Sequence, residues 1–166
     1  MKDLQYPFDA DKIMRKKKSI KRQLLEDQSR TFTEKKIAIL GGETTEDIKL
    51  ILELFLLNYG IKPLFYESEY NQYYEEGMFP NPELESFAPD LIYICTCIRN
   101  ILIFPELSDS LEEVHQKKEA LKNKFYTLWD TIATRYHCPI IQNNFEYPFF
   151  RLMGNKDASD IHGRVN

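Results

Sequence analysis

The sequence predicts an α/β fold, a three-layer sandwich in which helices cover both faces of a mostly parallel sheet. Three observations predict it. Short buried strands alternate with helices along the chain. The first strand, helix and strand follow one another closely enough to form a right-handed parallel unit. The 166 residues, 43% hydrophobic and 29% charged, match the size and composition of one globular domain. The expected strand order is 2-1-3-4, with the switch point between strands 1 and 3.

Residues 1–34 are predicted to form a basic helical leader. Asp9 or Asp11 can cap a helix that runs to about Asp27. Residues 1–36 contain 11 of the 22 Lys and Arg residues, a density that also suits a membrane surface or a phosphate. We favour a solvated arm that docks on the body through a few apolar side chains. Those side chains form one narrow stripe: Ile13, Ile20 and Leu24.

Residues 35–166 are predicted to form the α/β domain, which begins with a strand at residues 36–42. A helix follows, in which Thr44 and Asp47 fit a capping box and Gly60 supplies the end. A second strand occupies residues 62–66. The apolar residues of the helix recur at helical spacing: Ile48, Ile51, Leu52, Phe55, Leu56 and Tyr59.

The second half of the domain is predicted to add two strands and the longest helix. Residues 67–89 are acidic and aromatic, with short helical turns near 71–76 and 82–87, and a buried strand covers 90–96. The long helix begins near Ser108 or Asp109, and strand 4 covers 138–142. Because an open doubly wound sheet usually has a fifth strand, we expect the sequence to be a fragment, truncated at its C-terminal end.

Composition argues against several classes of protein. A net charge of −4 and a pI near 5.5 do not suit a nucleic-acid binder. No apolar run approaches the roughly 18 residues of a spanning helix, and no secretory signal opens the chain. Three cysteines without paired spacing predict reduced thiols in a cytoplasmic protein, with Cys95 in the core and Cys97 more exposed.

Ligands of such sheets bind outside the carboxyl ends of the strands, so the residues there are the candidate binding site. The two glycines after strand 1 leave N–H groups that suit an oxyanion or phosphate. Glu43 would compete for the same donors, and both a direct ligand role and a simple interaction with the helix N-terminus stay open for it. The candidate ligand-binding residues are Gly41, Gly42, Glu43, Thr44, Thr45, Arg99, Asn100 and Asn143.

No catalytic residue and no metal ligand is predicted. Asp9 and Asp11 mimic the DxDx(T/V) motif of aspartyl-nucleophile phosphatases, but they do not follow a buried strand. The glycines match neither GxxxxGK(S/T) nor GxGxxG, and the three histidines lack metal-ligand spacing. Ser68 and His162 are the weak remaining candidates for a hydrolytic triad.

Four segments together resemble the amino-terminal region of FkbH-like proteins: residues 37–45, 57–61, 66–73 and 88–93. The lysine-rich leader and residues 163–166 also fit, so the resemblance covers nearly the whole chain. It implies an SGNH-hydrolase-like or flavodoxin-like domain that precedes a haloacid-dehalogenase-type domain. Such proteins are associated with making glyceryl-carrier-protein units from a phosphorylated glycerate. The implied partners are the downstream domain and an acyl carrier protein; Mg²⁺ is implied only for that downstream domain, and no cofactor for this chain.

The catalytic blocks of SGNH hydrolases are incomplete in this chain. Glu43 stands where the serine would align, Asn100 could match the oxyanion Asn although Arg99 lies beside it, and Asp160 and His162 have the wrong spacing for the last block. The resemblance therefore implies a non-catalytic substrate-binding or carrier-protein-binding module. Two alternatives are a divergent esterase that uses Ser68 or Thr44, and a structural or dimerisation domain with an apolar patch near residues 70–79.

Overall fold

Four parallel strands form one sheet in the order β2-β1-β3-β4 in the computed structural model, which describes residues 1–165. This order confirms the predicted strand order. Asn166, the last residue of the segment 163–166 quoted above, lies outside the described residues. The register pairs Ile39 with Glu67 and Gly41 with Cys95, so three carboxyl ends meet at one edge. The strands are β1 (Thr33–Gly41), β2 (Ile61–Glu67), β3 (Leu91–Cys95) and β4 (Ile140–Gln142).

Helices lie on both sides of this sheet, as predicted. Three short 3₁₀ turns accompany them, at Lys2–Leu4, Ile98–Asn100 and Gly154–Ala158. The third of these turns lies in the segment after β4 that the sequence predicts to be a loop. The helices are α1 (Ala10–Glu26), α2 (Glu46–Asn58), α3 (Tyr73–Met78), α4 (Pro82–Phe87) and α5 (Leu111–Tyr136).

The core divides at β1 because successive side chains of a strand point to opposite faces. Ile37 and Ile39 pack in a cluster with Leu56 of α2. Ala38 and Leu40 belong to the cluster on the other face, which holds buried side chains of α3, α4 and α5. Full burial of one such aliphatic side chain stabilises the fold by roughly 1.5–3 kcal/mol. Helices on both faces of an all-parallel sheet make this a flavodoxin-like three-layer fold.

The leader helix α1 docks on α2 through the predicted apolar stripe. Its side chains are at most 3% exposed and pack with Leu54 and Leu57 of α2. Asp9 caps the helix, since its Oδ1 accepts a hydrogen bond from the Lys12 N–H at 2.9 Å. An ion pair of 2.7 Å between Lys21 and Glu53 lies alongside. The arm that docks by a few apolar residues is thus observed, while the domain boundary at residue 34 stays a prediction.

The long helix α5 begins at Leu111, two or three residues after the predicted start. Ser110 and Glu113 form a reciprocal capping box, and His137 ends the helix with a φ of +51°. Gly60, at φ +78°, follows α2 as expected. The periodicity that predicts α5 is confirmed where it faces the sheet: Val114, Phe125, Leu128 and Ile132 are buried.

Two local predictions are wrong. Thr44 is exposed and forms no capping box with Asp47; Thr45 precedes α2 instead, and its hydroxyl bonds Glu67 rather than the helix. Cys97 is only 2% exposed, because the 3₁₀ turn that follows folds Asn100 back onto its N–H group. Within residues 1–165, none of the helices combines the length and the apolarity needed to cross a bilayer.

Candidate functional site

The turn that leaves β1 is joined to both neighbouring strands by hydrogen bonds. The Gly41 N–H donates to the Ser68 hydroxyl at 2.8 Å, and the Gly42 N–H donates to the Cys95 carbonyl at 2.7 Å. The Ser68 N–H in turn donates to the Ile39 carbonyl at 2.9 Å. Both glycine N–H groups that the sequence offers to an anion are therefore bonded within the protein. Anion binding at this turn stays a prediction that these contacts do not favour.

The Asn100 side chain joins the segments that follow β1 and β3 through hydrogen bonds. Its Oδ1 accepts from the Cys97 N–H at 2.8 Å, and its Nδ2 donates to the Gly42 carbonyl and to Asn71 Oδ1, both at 3.0 Å. A Cβ on Gly42 would lie 2.4 Å from Asn100 Oδ1, so only glycine fits there. Since Asn100 is 6% exposed and its amide is fully engaged, it positions the backbone.

Seven residues around the start of α2 line an acidic cleft of about 210 Å³. Burial acts to raise the pKa of Glu67, but hydrogen bonds from Lys49 and Thr45 outweigh it and hold the pKa below the usual value. Glu43 is half-buried, and its Oε1 lies 3.8 Å from Cys95 Sγ. The acidic cleft is lined by Glu43, Thr44, Thr45, Glu46, Glu67, Ser68 and Tyr70.

A second cleft, of about 120 Å³, is lined by residues of α3, α5 and the turn after β3, and it carries a net positive charge. Arg99 is exposed, and its nearness to Cys97, Tyr70 and Glu43 raises its pKa. Among residues 1–165, neither Arg99 nor Lys124 forms an ion pair, in contrast to Lys49. This basic cleft is lined by Asn71, Tyr73, Tyr74, Glu75, Arg99, Asn100, Leu102 and Lys124.

The close approach of α3 to α5 builds the wall of the basic cleft. A Cβ on Gly77 would lie 2.6 Å from Leu128 Cδ1, so glycine lets the two helices touch. Arg135 of α5 donates to the carbonyls of Gly77, Met78 and Phe79 at 3.2, 3.1 and 2.8 Å, which holds the end of α3 in place. As a result, Lys124 Nζ of α5 lies 4.7 Å from the ring centroid of Tyr74 in α3.

Asn143 lies at the end of β4 and lines neither cleft. Its Oδ1 accepts from the Thr96 N–H at 2.8 Å, and its Nδ2 donates to the Thr96 carbonyl at 2.6 Å. The side chain thus continues the pairing of β3 with β4 beyond the last strand residue. Ligand binding by Asn143 stays a prediction, and its amide has a structural use.

The candidate nucleophile and base are engaged in separate places. The Ser68 hydroxyl accepts from Gly41 and donates to the Glu69 carbonyl at 3.2 Å. His162 Nδ1 lies 2.9 Å from Asp160 Oδ1, and its Nε2 lies 2.9 Å from the Asp109 carbonyl near the start of α5. Within the described part of the chain, no hydrogen bond joins Ser68 to His162. The Asp160–His162 pair therefore anchors the segment after β4.

The structure adds residues that the sequence analysis did not select. Tyr73, Lys124 and Glu75 line the basic cleft, and Lys49 bonds Glu67 in the acidic one. Sequence alone could have indicated Glu67, since it ends a strand at the carboxyl edge of the sheet. No local signal marked Lys124, because the packing of α5 on α3 brings it to the edge. Over residues 1–165, no cluster of three or more His, Cys, Asp or Glu side chains is arranged to hold a metal ion.

Comparison with solved structures finds the same fold. The chain is similar to the N-terminal part of the protein BF1531 from Bacteroides fragilis, whose crystal structure contains a phosphatase domain and is complexed with Mg. The TM-score is 0.66 at 19% sequence identity, and the match covers 89% of this chain and 38% of that chain. At this identity the similarity shows the shared fold. No protein-family model and no curated protein matches the chain.

Proposed function

We propose that this chain is the amino-terminal domain of an FkbH-like enzyme and acts there as a non-catalytic binding module. It recognises an acyl or glyceryl group, or the acyl carrier protein that bears it, for a downstream haloacid-dehalogenase-type domain with phosphatase or transferase activity. Mg²⁺ belongs to the downstream domain in this proposal. We also place the protein in the cytoplasm, because its three cysteines are free thiols.

One observation carries the non-catalytic part of the proposal. The position where an SGNH hydrolase has its serine holds Glu43, and the nearby Ser68 hydroxyl is bonded to Gly41 and Glu69. A serine needs a neighbouring base to become a nucleophile, and the base candidate His162 is bonded to Asp160 and Asp109. A carboxylate at Glu43 supplies no alkoxide. The edge therefore has the shape of a ligand site without the chemistry of ester cleavage.

The similar solved structure supports the proposal that a phosphatase-type domain follows this one. This chain spans 38% of the similar structure, which extends well beyond the matched part and contains a phosphatase domain complexed with Mg. The Asp9 and Asp11 motif of this chain caps a helix, so it supplies no aspartyl nucleophile. Phosphatase chemistry in the parent enzyme would thus come from the downstream domain.

Titration of the complete protein with holo acyl carrier protein tests the proposal. Arg99→Gln is expected to weaken carrier binding and to lower turnover, because it removes a charge at the open end of the basic cleft. Lys62→Gln is the matched control, since Lys62 pairs with Glu34 at the opposite end of the sheet. Unchanged binding and turnover in Arg99→Gln would remove the binding role.

A further inference from the structure

The basic cleft combines two cationic side chains with a hydroxyl donor that has no protein partner. Tyr73 is only 3% exposed, yet it lines the cleft, and among residues 1–165 its hydroxyl has no hydrogen-bond partner. The hydroxyl oxygen keeps some accessible surface, in a side chain that is otherwise buried and that lines the cleft. A buried side chain with its polar end free toward a cavity indicates a ligand group that accepts a hydrogen bond.

The charges around this hydroxyl favour an anionic acceptor. Arg99 and Lys124 flank the cleft without a carboxylate partner, and Glu75 supplies one opposing charge from its rim. Charge-assisted hydrogen bonds from such groups are about twice as strong as neutral ones. The cleft volume of about 120 Å³ suits one small oxyanion rather than a whole cofactor.

Tyr73 stays a donor under all ordinary conditions. Burial, with the nearby Glu75 carboxylate, raises the pKa of Tyr73 to about 12. Its hydroxyl is therefore protonated at neutral pH and can donate to an oxyanion. Arg99 is charged as well, because the groups around it raise a pKa that is already high. Tyr73 and Arg99 thus keep one protonation state over the whole physiological range.

We propose that Tyr73, Arg99 and Lys124 form a binding site for the anionic oxygen group of the ligand, a phosphate or a carboxylate. The site rests on the proposed function, since it is the part of the binding module that would hold the charged end of a carried or phosphorylated group. It differs from the anion site that the sequence predicts at Gly41 and Gly42, whose N–H groups are bonded within the protein. The specific donors are side chains of α3, α5 and the turn after β3.

Titration of the isotope-labelled 166-residue chain with inorganic phosphate, followed by NMR, tests this site. Saturable shifts are expected at Tyr73, Tyr74, Arg99 and Asn100. Tyr73→Phe keeps the packed ring and removes only the hydroxyl. This variant and Arg99→Gln are each expected to raise the Kd for phosphate roughly tenfold. Raising the ionic strength should weaken binding further through charge screening.

Two variants give the test its direction. Glu75→Gln removes the opposing charge and is expected to tighten phosphate binding about threefold. Lys62→Gln changes the net charge as Arg99→Gln does but lies at the other end of the sheet, so it should leave the Kd unchanged. Equal weakening in Lys62→Gln and Arg99→Gln would mean that net charge alone attracts phosphate, and would overturn the site.

Further arms of the titration separate the sources of the anion. Tighter binding of phosphopantetheine than of inorganic phosphate or acetate would assign the site to the carrier's prosthetic group; tighter binding of acetate would assign it to a substrate carboxylate. Either result supports the site. Absence of saturable shifts with all three anions would overturn it. If the complete protein still bound holo carrier protein through Arg99, that result would leave the proposed function standing.

Discussion

The acidic cleft and the basic cleft at the carboxyl edge of the sheet differ in how their charged side chains are paired. In the acidic cleft, Glu67 is bonded to both Lys49 and Thr45. In the basic cleft, Arg99 and Lys124 have no carboxylate partner among residues 1–165. The charge of Glu67 is thus balanced by a partner inside the protein, whereas the charges of Arg99 and Lys124 are not balanced by a bonded carboxylate. Charge at a ligand edge is therefore informative only when its pairing is known.

The largest effect is expected at Gly42, which packs against Asn100 of the basic cleft. Gly42→Ala would place a Cβ 2.4 Å from Asn100 Oδ1 and displace the amide that joins Cys97 to Gly42. We expect a loss of about 3 kcal/mol in the free energy of unfolding, from overpacking together with broken buried hydrogen bonds. Urea unfolding followed by circular dichroism measures it.

Gly154→Ala is the control for the glycine substitution. Gly154 has a φ of +57° and no atom within 4 Å of a built Cβ, so its replacement costs backbone strain alone, about 1 kcal/mol. A smaller loss for Gly42→Ala than for Gly154→Ala would show that the Asn100 amide is not packed tightly against Gly42.

The next effect concerns the ion pair of the acidic cleft. Glu67 has a lowered pKa in the folded protein, so its contribution is present above its ordinary pKa of 4.5 and is lost as the pH falls through the folded value. Lys49→Gln should remove about 1 kcal/mol at pH 7 and flatten the acid limb of the stability profile. Thermal unfolding between pH 3 and 7 measures this change.

Lys21→Gln serves as the control for the acidic cleft. Lys21 pairs with Glu53 between α1 and α2, and its side chain is 44% exposed. The same net charge is lost, but far from the cleft and in more solvent. An acid limb flattened equally in both variants would mean that net charge, rather than the Glu67 pair, sets the acid stability.

The smallest predicted effect concerns His162, which lines neither cleft, and it is expected at alkaline pH. Both ring nitrogens of His162 face acceptors, the Asp109 carbonyl and the Asp160 carboxylate, so only the imidazolium can donate to both. The hydrogen bond to the Asp109 carbonyl, followed by the one to Asp160, raises the pKa of His162 above 6.5. Lys156 lies near Asp160, and Lys117 pairs with Asp109 at 2.6 Å.

The anchoring by His162 is expected to be complete below pH 6.5 and to be lost as the pH rises through the raised folded pKa. Amide hydrogen exchange around residues 159–163, corrected for its intrinsic pH dependence, should show less protection at pH 9 than at pH 6. The variant His162→Gln should remove this difference, and His115→Gln, at an exposed position of α5, should keep it. A difference that persists in His162→Gln would assign the effect to another group.

The sequence predicts the fold well because its signals are local and repeated. Buried β3 and the periodicity of α5 are visible in single segments, and the alternation of elements determines the parallel order. The amino half of β1 was missed, since Thr33–Lys35 is exposed and charged and is a strand only through its pairing with Ile61–Pro63. The burial of Cys97 depends on the hydrogen bond between its N–H group and Asn100, which no sequence pattern predicts.

The candidate site is less predictable because its chemistry depends on which side chains are hydrogen-bonded or ion-paired to one another in the folded protein. Chain position predicts that Glu43, Arg99 and Asn100 follow the carboxyl ends of β1 and β3, where the structure has them, and their binding role stays a prediction. It could not show that the Asn100 and Asn143 amides are bonded to backbone groups, nor that Lys124 of α5 meets Tyr74 of α3. These contacts join residues that lie tens of positions apart.

Cleavage of p-nitrophenyl acetate by the purified chain tests the central claim, that this edge binds without catalysis, most directly. The account predicts only the slow, nonspecific hydrolysis that exposed side chains of any protein cause, at the same rate in the unchanged chain, in Ser68→Ala and in Thr44→Val. Turnover well above that background, abolished in either variant, would show that an attacking hydroxyl exists at the edge and would contradict the account.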